Sequence, residues 1–201
     1  MEIEIRRLTP GLAEEYARFF DTTSHNDEGS GEKCYCVTWR RDDSYVGDDH
    51  WYPTPEERRV RAIGFIKDGS LQGYLAYLGD RIIGWCSATA ECSLGVNYLR
   101  SFWSIEEYRE DINVMSVFCF MIAPRMQRKG VATQLLERVI KDASDDGFDY
   151  VEAYIDKVVS DAGRDFRGPL KLYEKCGFSI YAEKDGKAVV RKALKNVMPL
   201  R

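Results

Sequence analysis

The amino-acid sequence predicts an α/β fold in which a mixed, mainly antiparallel sheet is flanked by helices. Strand-like and helix-like periods alternate along the chain, two pairs of strand-like segments lie close enough to form hairpins, and no internal repeat or linker divides the whole. The same observations predict one domain over residues 1–201, carrying an irregular, loop-rich insertion at about 21–54.

Glu2-Ile3-Glu4-Ile5-Arg6 alternates polar and apolar residues, the period of a strand with one buried face. Pro10 then opens a helical stretch with Leu12, Tyr16, Phe19 and Phe20 on one side. From Asp21 to Pro55 acids, glycines and aromatics mix without a period, and uncovered loops of such length are usually functional. Thr54-Pro55-Glu56-Glu57 is a helix start: a capping hydroxyl, a proline where the N–H is unused, and an acid in the first turn. That helix is expected to reach about Lys67 and stop at Asp68-Gly69. Leu71 to Leu78, the turn Gly79-Asp80 and Arg81 to Ala90 read as a hairpin, whereas Glu91 to Glu110 is ambiguous. Asn113 to Ile122 is rich in β-branched and aromatic residues, as in a buried central strand ending before Pro124. Gly130 to Ser144 is the clearest helix, with Val131, Leu135, Leu136, Val139, Ile140 and Ala143 on one face and Gly147 as its stop. Tyr150 to Ile155 reads as a strand, Pro169 to Cys176 as a short helix, and Phe178 to Glu183 with Ala188 to Ala193 as a closing hairpin.

Composition excludes several function classes. The chain is 44% hydrophobic and 31% charged, ordinary for a globular protein, and at 201 residues it can bury enough surface to need no disulfides. Its six cysteines are spread out with no secretory signal, so reduced thiols are expected. A formal net charge of −4 argues against nucleic acid as a partner. The first residues carry acids where a signal peptide needs a basic end, and the longest apolar run, Val117 to Ala123, falls far short of the roughly 20 residues that span a bilayer. A cytoplasmic protein without membrane contact is expected; a homodimer remains open.

The informative segment is Ile122-Ala123-Pro124-Arg125-Met126-Gln127-Arg128-Lys129-Gly130-Val131-Ala132-Thr133. A buried strand ends, a turn of basic and small residues follows, and a long helix begins at once. Unpaired N–H groups and the positive end of the dipole make such a helix start an anion site. Gly130 and Ala132 leave the backbone uncovered, while Arg128 and Lys129 add charge, so a pyrophosphate is the natural occupant. The chain has neither a Walker loop nor a dinucleotide fingerprint. The segment instead resembles the acetyl-CoA loop of the GNAT superfamily, Gln/Arg-x-x-Gly-x-Gly/Ala, with Gln127, Gly130 and Ala132 at its fixed positions. Leu172-Tyr173-Glu174-Lys175-Cys176-Gly177-Phe178 resembles a second element of that family, in the required order. The resemblance covers about 71–193 and leaves 21–54 outside.

The resemblance implies an N-acetyltransferase with acetyl-CoA as co-substrate and no metal, acting on a primary amine of a small molecule by direct attack in a ternary complex. Backbone groups of Phe120, Met121 and Ile122 would meet the pantetheine and thioester, Arg128, Lys129, Gly130, Val131, Ala132 and Thr133 would hold the pyrophosphate, and Gln127 would join them as a cofactor-binding residue. Tyr173 matches the tyrosine placed near the departing sulfur, and Glu152, sharing a strand face with Tyr154, is a candidate base. A protein N-acetyltransferase and a non-catalytic acyl-CoA-binding regulator are the alternatives. One departure stands out: where relatives carry an asparagine that touches the pantetheine, this chain reads Phe166-Arg167-Gly168-Pro169.

Two further readings concern the insertion. Cys34 and Cys36, one residue apart and expected on one face of an extended segment, suit buried thiols better than a metal site completed by His25 and His50, or a redox pair. Asp27, Glu28, Asp42, Asp43, Asp48 and Asp49 would attract a cationic amine or simply be solvated, and Trp39, Trp51 and Tyr52 would line a pocket or join the core.

Overall fold

A computed structural model describes residues 2–23, 33–37, 52–90, 112–157 and 165–194. The elements run β1 (Glu4–Arg7), a 3-10 turn (Pro10–Leu12), α1 (Ala13–Thr22), α2 (Pro55–Lys67), β2 (Gly73–Leu78) and β3 (Arg81–Thr89). They continue with β4 (Val114–Ile122), a 3-10 turn (Pro124–Met126), α3 (Val131–Asp145), β5 (Tyr150–Asp156), α4 (Leu170–Lys175), β6 (Ser179–Lys184) and β7 (Lys187–Ala193). The ambiguous stretch 91–110 and most of 21–54 lie outside the described residues.

Local chemistry sets the helix boundaries. Thr54 Oγ1 accepts the Glu57 N–H at 3.1 Å, so α2 begins where its cap and proline dictate. Pro10 gives only a 3-10 turn before α1 proper starts at Ala13.

The seven strands form one sheet in the order β1-β2-β3-β4-β5-β7-β6. Among the described residues every neighbouring pair is antiparallel except β4 and β5. Side chains of α1 and α2 cover one face, with Tyr16, Phe20, Ala62 and Ile66 packed against Trp85, Cys119 and Tyr154. The other face carries α3 and α4, where Val131, Leu135, Leu136 and Tyr173 pack against Cys86, Val117, Phe120 and Ala153.

The feature that positions the site is an irregularity in β4. Its register with β3 passes from Ser87↔Cys119 to Ala88↔Val117, so Phe118 is an extra residue, a β-bulge. Alternation changes phase there: Met115 and Val117 face α3, Phe118 and Cys119 both face α1 and α2, and Phe120 faces α3 again. Pairing of β4 with β5 ends at the same place, with Val117↔Ala153 as its last pair, although β4 continues to Ile122 and β5 to Asp156. The two strands therefore part beyond the bulge.

Candidate active site

The turn from β4 into α3 is built to leave a helix start uncovered. Arg128 (φ 58°) and Gly130 (φ 84°) both take the left-handed conformation, which a glycine adopts at no steric cost. Gly130 occupies the cap position without a capping side chain, and the first turn of α3 contains no acid. The leading N–H groups of this 15-residue helix thus have no partner within the helix, and the dipole's positive end meets exposed Arg128 and Lys129. A Cβ on Gly130 would meet nothing within 4 Å, so the approach is open. Buried Val131 anchors this end of the helix, while Ala132 and Thr133 are half-buried. Gln127 is exposed, and its Nε2 donates to the Ile122 carbonyl at 3.3 Å, tying the loop back to β4.

Gly84 on β3, given no packing role by the sequence reading, lets that helix sit close. A Cβ there would lie 3.0 Å from both Ile122 Cδ1 and Val131 Cγ1. A lone glycine inside a strand was the available signal.

Along the parted edge, backbone direction decides which groups face the gap. The Ala123 N–H donates to Ile83 O on β3 at 3.0 Å, and the Phe120 N–H donates the other way, to Phe166 O at 2.6 Å. Since direction alternates along a strand, Phe120 and Ile122 turn their backbone groups to the gap and Met121 turns its own to β3. The structure thus brings together Phe120, Ile122 and the loop 127–133, and corrects the inclusion of Met121 as a backbone partner in the gap.

Tyr173, on α4, is buried beneath this edge, and its hydroxyl donates to Arg167 O at 2.5 Å. Burial raises its pKa well above the usual value, so the phenol remains a proton-bearing donor. Its ring meets Phe178 edge-on at 5.3 Å. Asp165 was not anticipated either; burial and then the charge of Asp156 raise its pKa.

Glu152 lies elsewhere. It sits where β5 is still paired on both edges, opposite Ser116 on β4 and Arg191 on β7, and is 0% exposed. Arg191 Nε donates to Oε2 at 2.8 Å and its Nη2 adds a second bond, while the Tyr154 hydroxyl donates to Oε1 at 2.5 Å. The shared face with Tyr154 is present, but the carboxylate is enclosed and ion-paired. The role of base expected for it is therefore corrected: a carboxylate holding a guanidinium with no exposed atom is poorly placed to take a proton from a substrate.

Cys34 and Cys36 are buried free thiols. They do not lie on an extended segment as expected, because Tyr35 (φ 47°) and Cys36 (φ 54°) form a left-handed turn. Burial, with the neighbouring Cys36, pushes the Cys34 thiol up to about 12. Tyr52 joins the core, whereas His25, His50, Trp39, Trp51 and the acids at 27, 28, 42, 43, 48 and 49 lie outside the described residues. A cleft of about 820 Å³ opens beside the loop from β4 to α3, between α1 and the ends of β3 and β4, with Glu15, Arg18, Asp80, Arg81 and Arg125 on its walls.

The sequence model of the acetyltransferase (GNAT) family matches residues 34–178. The chain belongs to the GNAT family. It is accordingly an acyltransferase by kind, and the match begins within the stretch that sequence motifs alone left outside the resemblance. Solved structures share the GNAT fold. A GNAT acetyltransferase from Desulfovibrio desulfuricans superposes with a TM-score of 0.55 at 16% identity, covering 96% of this chain and 100% of that one. The PaiA N-acetyltransferase of Thermoplasma acidophilum, solved with coenzyme A, gives 0.55 at 15% identity over 96% and 99%. The acetyltransferase YncA of Salmonella typhimurium, solved with acetyl-CoA, gives 0.53 at 14% over 98% and 96%. No curated protein matches the chain.

Proposed function

We propose that this GNAT protein is an N-acetyltransferase that moves the acetyl group of acetyl-CoA to a primary amine of a small molecule, by direct attack in a ternary complex. One observation carries the reading: an uncovered, positively charged helix start opens into a strand gap that holds a turned-in backbone N–H and a buried tyrosine. The co-substrate's pyrophosphate fits the first, through Gln127 to Thr133, and its extended arm fits the second, along Phe120 and Ile122. Two structural relatives bind coenzyme A or acetyl-CoA, which supports the same assignment.

In this reading the neutral amine attacks the thioester carbonyl carbon, and the Phe120 N–H receives the developing oxyanion. As the tetrahedral species collapses, the carbon–sulfur bond breaks, the Tyr173 hydroxyl hydrogen-bonds the leaving thiolate, and the proton released by the amine nitrogen passes to water. A thiol is more acidic than a phenol by about 1.5 pKa units, and burial of Tyr173 widens that gap, so hydrogen bonding rather than full proton donation is the assigned role. Holding amine and thioester together supplies much of the remaining acceleration. The cleft beside α1 has room for a small acceptor.

The test is acetyl-CoA calorimetry on wild type and on Gly130→Glu, followed by a screen of amines for thiol release. Micromolar binding that disappears in the variant, with release on some amine, is expected. Binding without release on any amine would mark a regulator instead, and no binding by folded wild type would remove the acetyltransferase reading.

A further inference from the structure

The gap between β4 and β5 is closed by the chain itself. Past the last β4–β5 pair, residues 165–168 run along the free edge of β4. The Phe166 carbonyl accepts the Phe120 N–H at 2.6 Å, and the next carbonyl, of Arg167, accepts the Tyr173 hydroxyl at 2.5 Å. These are the two donors assigned above to the oxyanion and the departing sulfur. One short segment satisfies both, with consecutive carbonyls.

We propose that residues 165–168 are an autoinhibitory strap that occupies the acyl-CoA groove and must swing out before the co-substrate can seat. The inference rests on the proposed site and adds a gate to it. Phe166 packs, partly buried, against the core on the α1 and α2 face, and polar ties add to that hold. The Arg167 guanidinium pairs with the Asp156 carboxylate at the end of β5 and lies 4.9 Å over the Phe166 ring. The Gly168 N–H donates to Asp165 O at 3.2 Å, closing a turn with Gly168 at φ +83°. The ion pair is partly exposed, its side chains 18% and 36% accessible, so it contributes only a fraction of what a buried pair would. A pantetheine amide or thioester carbonyl can take over the Phe120 hydrogen bond, so an incoming ligand competes with the strap on equal chemical terms. Gly168 and Pro169 mark where motion stops: a flexible residue followed by one with a fixed φ, at the threshold of α4.

If only the open fraction binds, the apparent dissociation constant is the intrinsic one divided by that fraction. Loosening the strap then tightens binding, the reverse of what loss of a ligand contact would do. The experiment is acetyl-CoA titration of the full chain, in wild type and in Arg167→Ala and Asp156→Asn, two independent ways to remove one ion pair. Thermal melts verify that each variant is folded, and Gly130→Glu serves as the non-binding control. Tightening of about threefold or more in both variants is expected, as an ion pair of somewhat under 1 kcal/mol implies. Exchange of the Phe120 amide is also expected to quicken in both. Equal or weaker binding by folded variants would overturn the strap and make 165–168 a fixed wall, leaving the cofactor site intact. Absence of binding in wild type and both strap variants alike would overturn strap and site together.

Discussion

Tyr173 and Glu152 are both buried groups able to exchange a proton, and what each one holds sets them apart. The Tyr173 hydroxyl is spent on a main-chain carbonyl of the proposed strap, whereas the Glu152 carboxylate is bound to Arg191 across strand pairing. Tyr173→Phe is expected to lower turnover tenfold or more, in the range of acid–base roles, with acetyl-CoA affinity unchanged or tighter. Wild-type turnover in that variant would remove Tyr173 from the chemistry. Glu152→Ala is expected to act on stability, because it strands the Arg191 guanidinium, whose side chain is only 12% exposed. The loss should be about 3 kcal/mol, seen as a lower Tm, while Glu152→Gln retains most turnover per folded molecule. A Glu152→Gln protein with unchanged Tm and collapsed turnover would restore Glu152 as a base. Neither distinction could be read beforehand, since Arg191 lies 39 positions away and a backbone carbonyl has no side-chain signature.

Elements whose causes are local were legible in the sequence. The start of α2 follows from Thr54 and Pro55, and the apolar face of α3 from Leu135, Leu136 and Val139, whatever the rest of the chain does. The bulge at Phe118 was not legible, because strand texture is uniform through it and only the register with β3 reveals the extra residue. The turn at Tyr35 and Cys36 is likewise imposed by packing, with the Tyr16 hydroxyl donating to Tyr35 O at 2.7 Å. How α3 meets the sheet gives a prediction at this scale. Gly84→Val puts bulk between Ile122 and Val131 and is expected to cost about 1–3 kcal/mol while weakening acetyl-CoA binding, with Gly84→Ala intermediate. Unaltered binding by Gly84→Val would show that the loop's position does not depend on this contact.

Across the whole molecule, the edge strand β1 is tied down by charge. Asp142 on α3 accepts from Arg138 Nε at 2.7 Å and lies 3.3 Å from Arg7 of β1, and Arg138 also donates to Ile5 O at 2.7 Å. Partial burial of Asp142 opposes ionisation, but hydrogen bonding and charge from Arg138 and then Arg7 outweigh it, so its pKa falls below the ordinary 3.8. A carboxylate depressed in the folded state adds stability that is complete above its unfolded pKa and fades as pH falls through the folded one. Melting temperature should therefore drop as pH is taken below about 4, and less steeply in Asp142→Asn. Parallel curves for the two proteins would mean that the clamp does not couple to folding.

The order β5-β7-β6 has a practical consequence for anyone cutting this chain. β7 enters the sheet between β5 and β6, pairing with β5 from Tyr150↔Ala193 to Asp156↔Lys187. A fragment trimmed to the family match at Phe178 would retain the proposed cofactor loop and Tyr173, yet it would end before either strand of the closing hairpin. The flank of β5 would then be an open row of backbone donors and acceptors between apolar Val151, Ala153 and Ile155, a template for adhesion between copies. During synthesis the nascent chain passes through the same exposed state until residues 187–193 have been added, so the last hairpin works as a cover that arrives late.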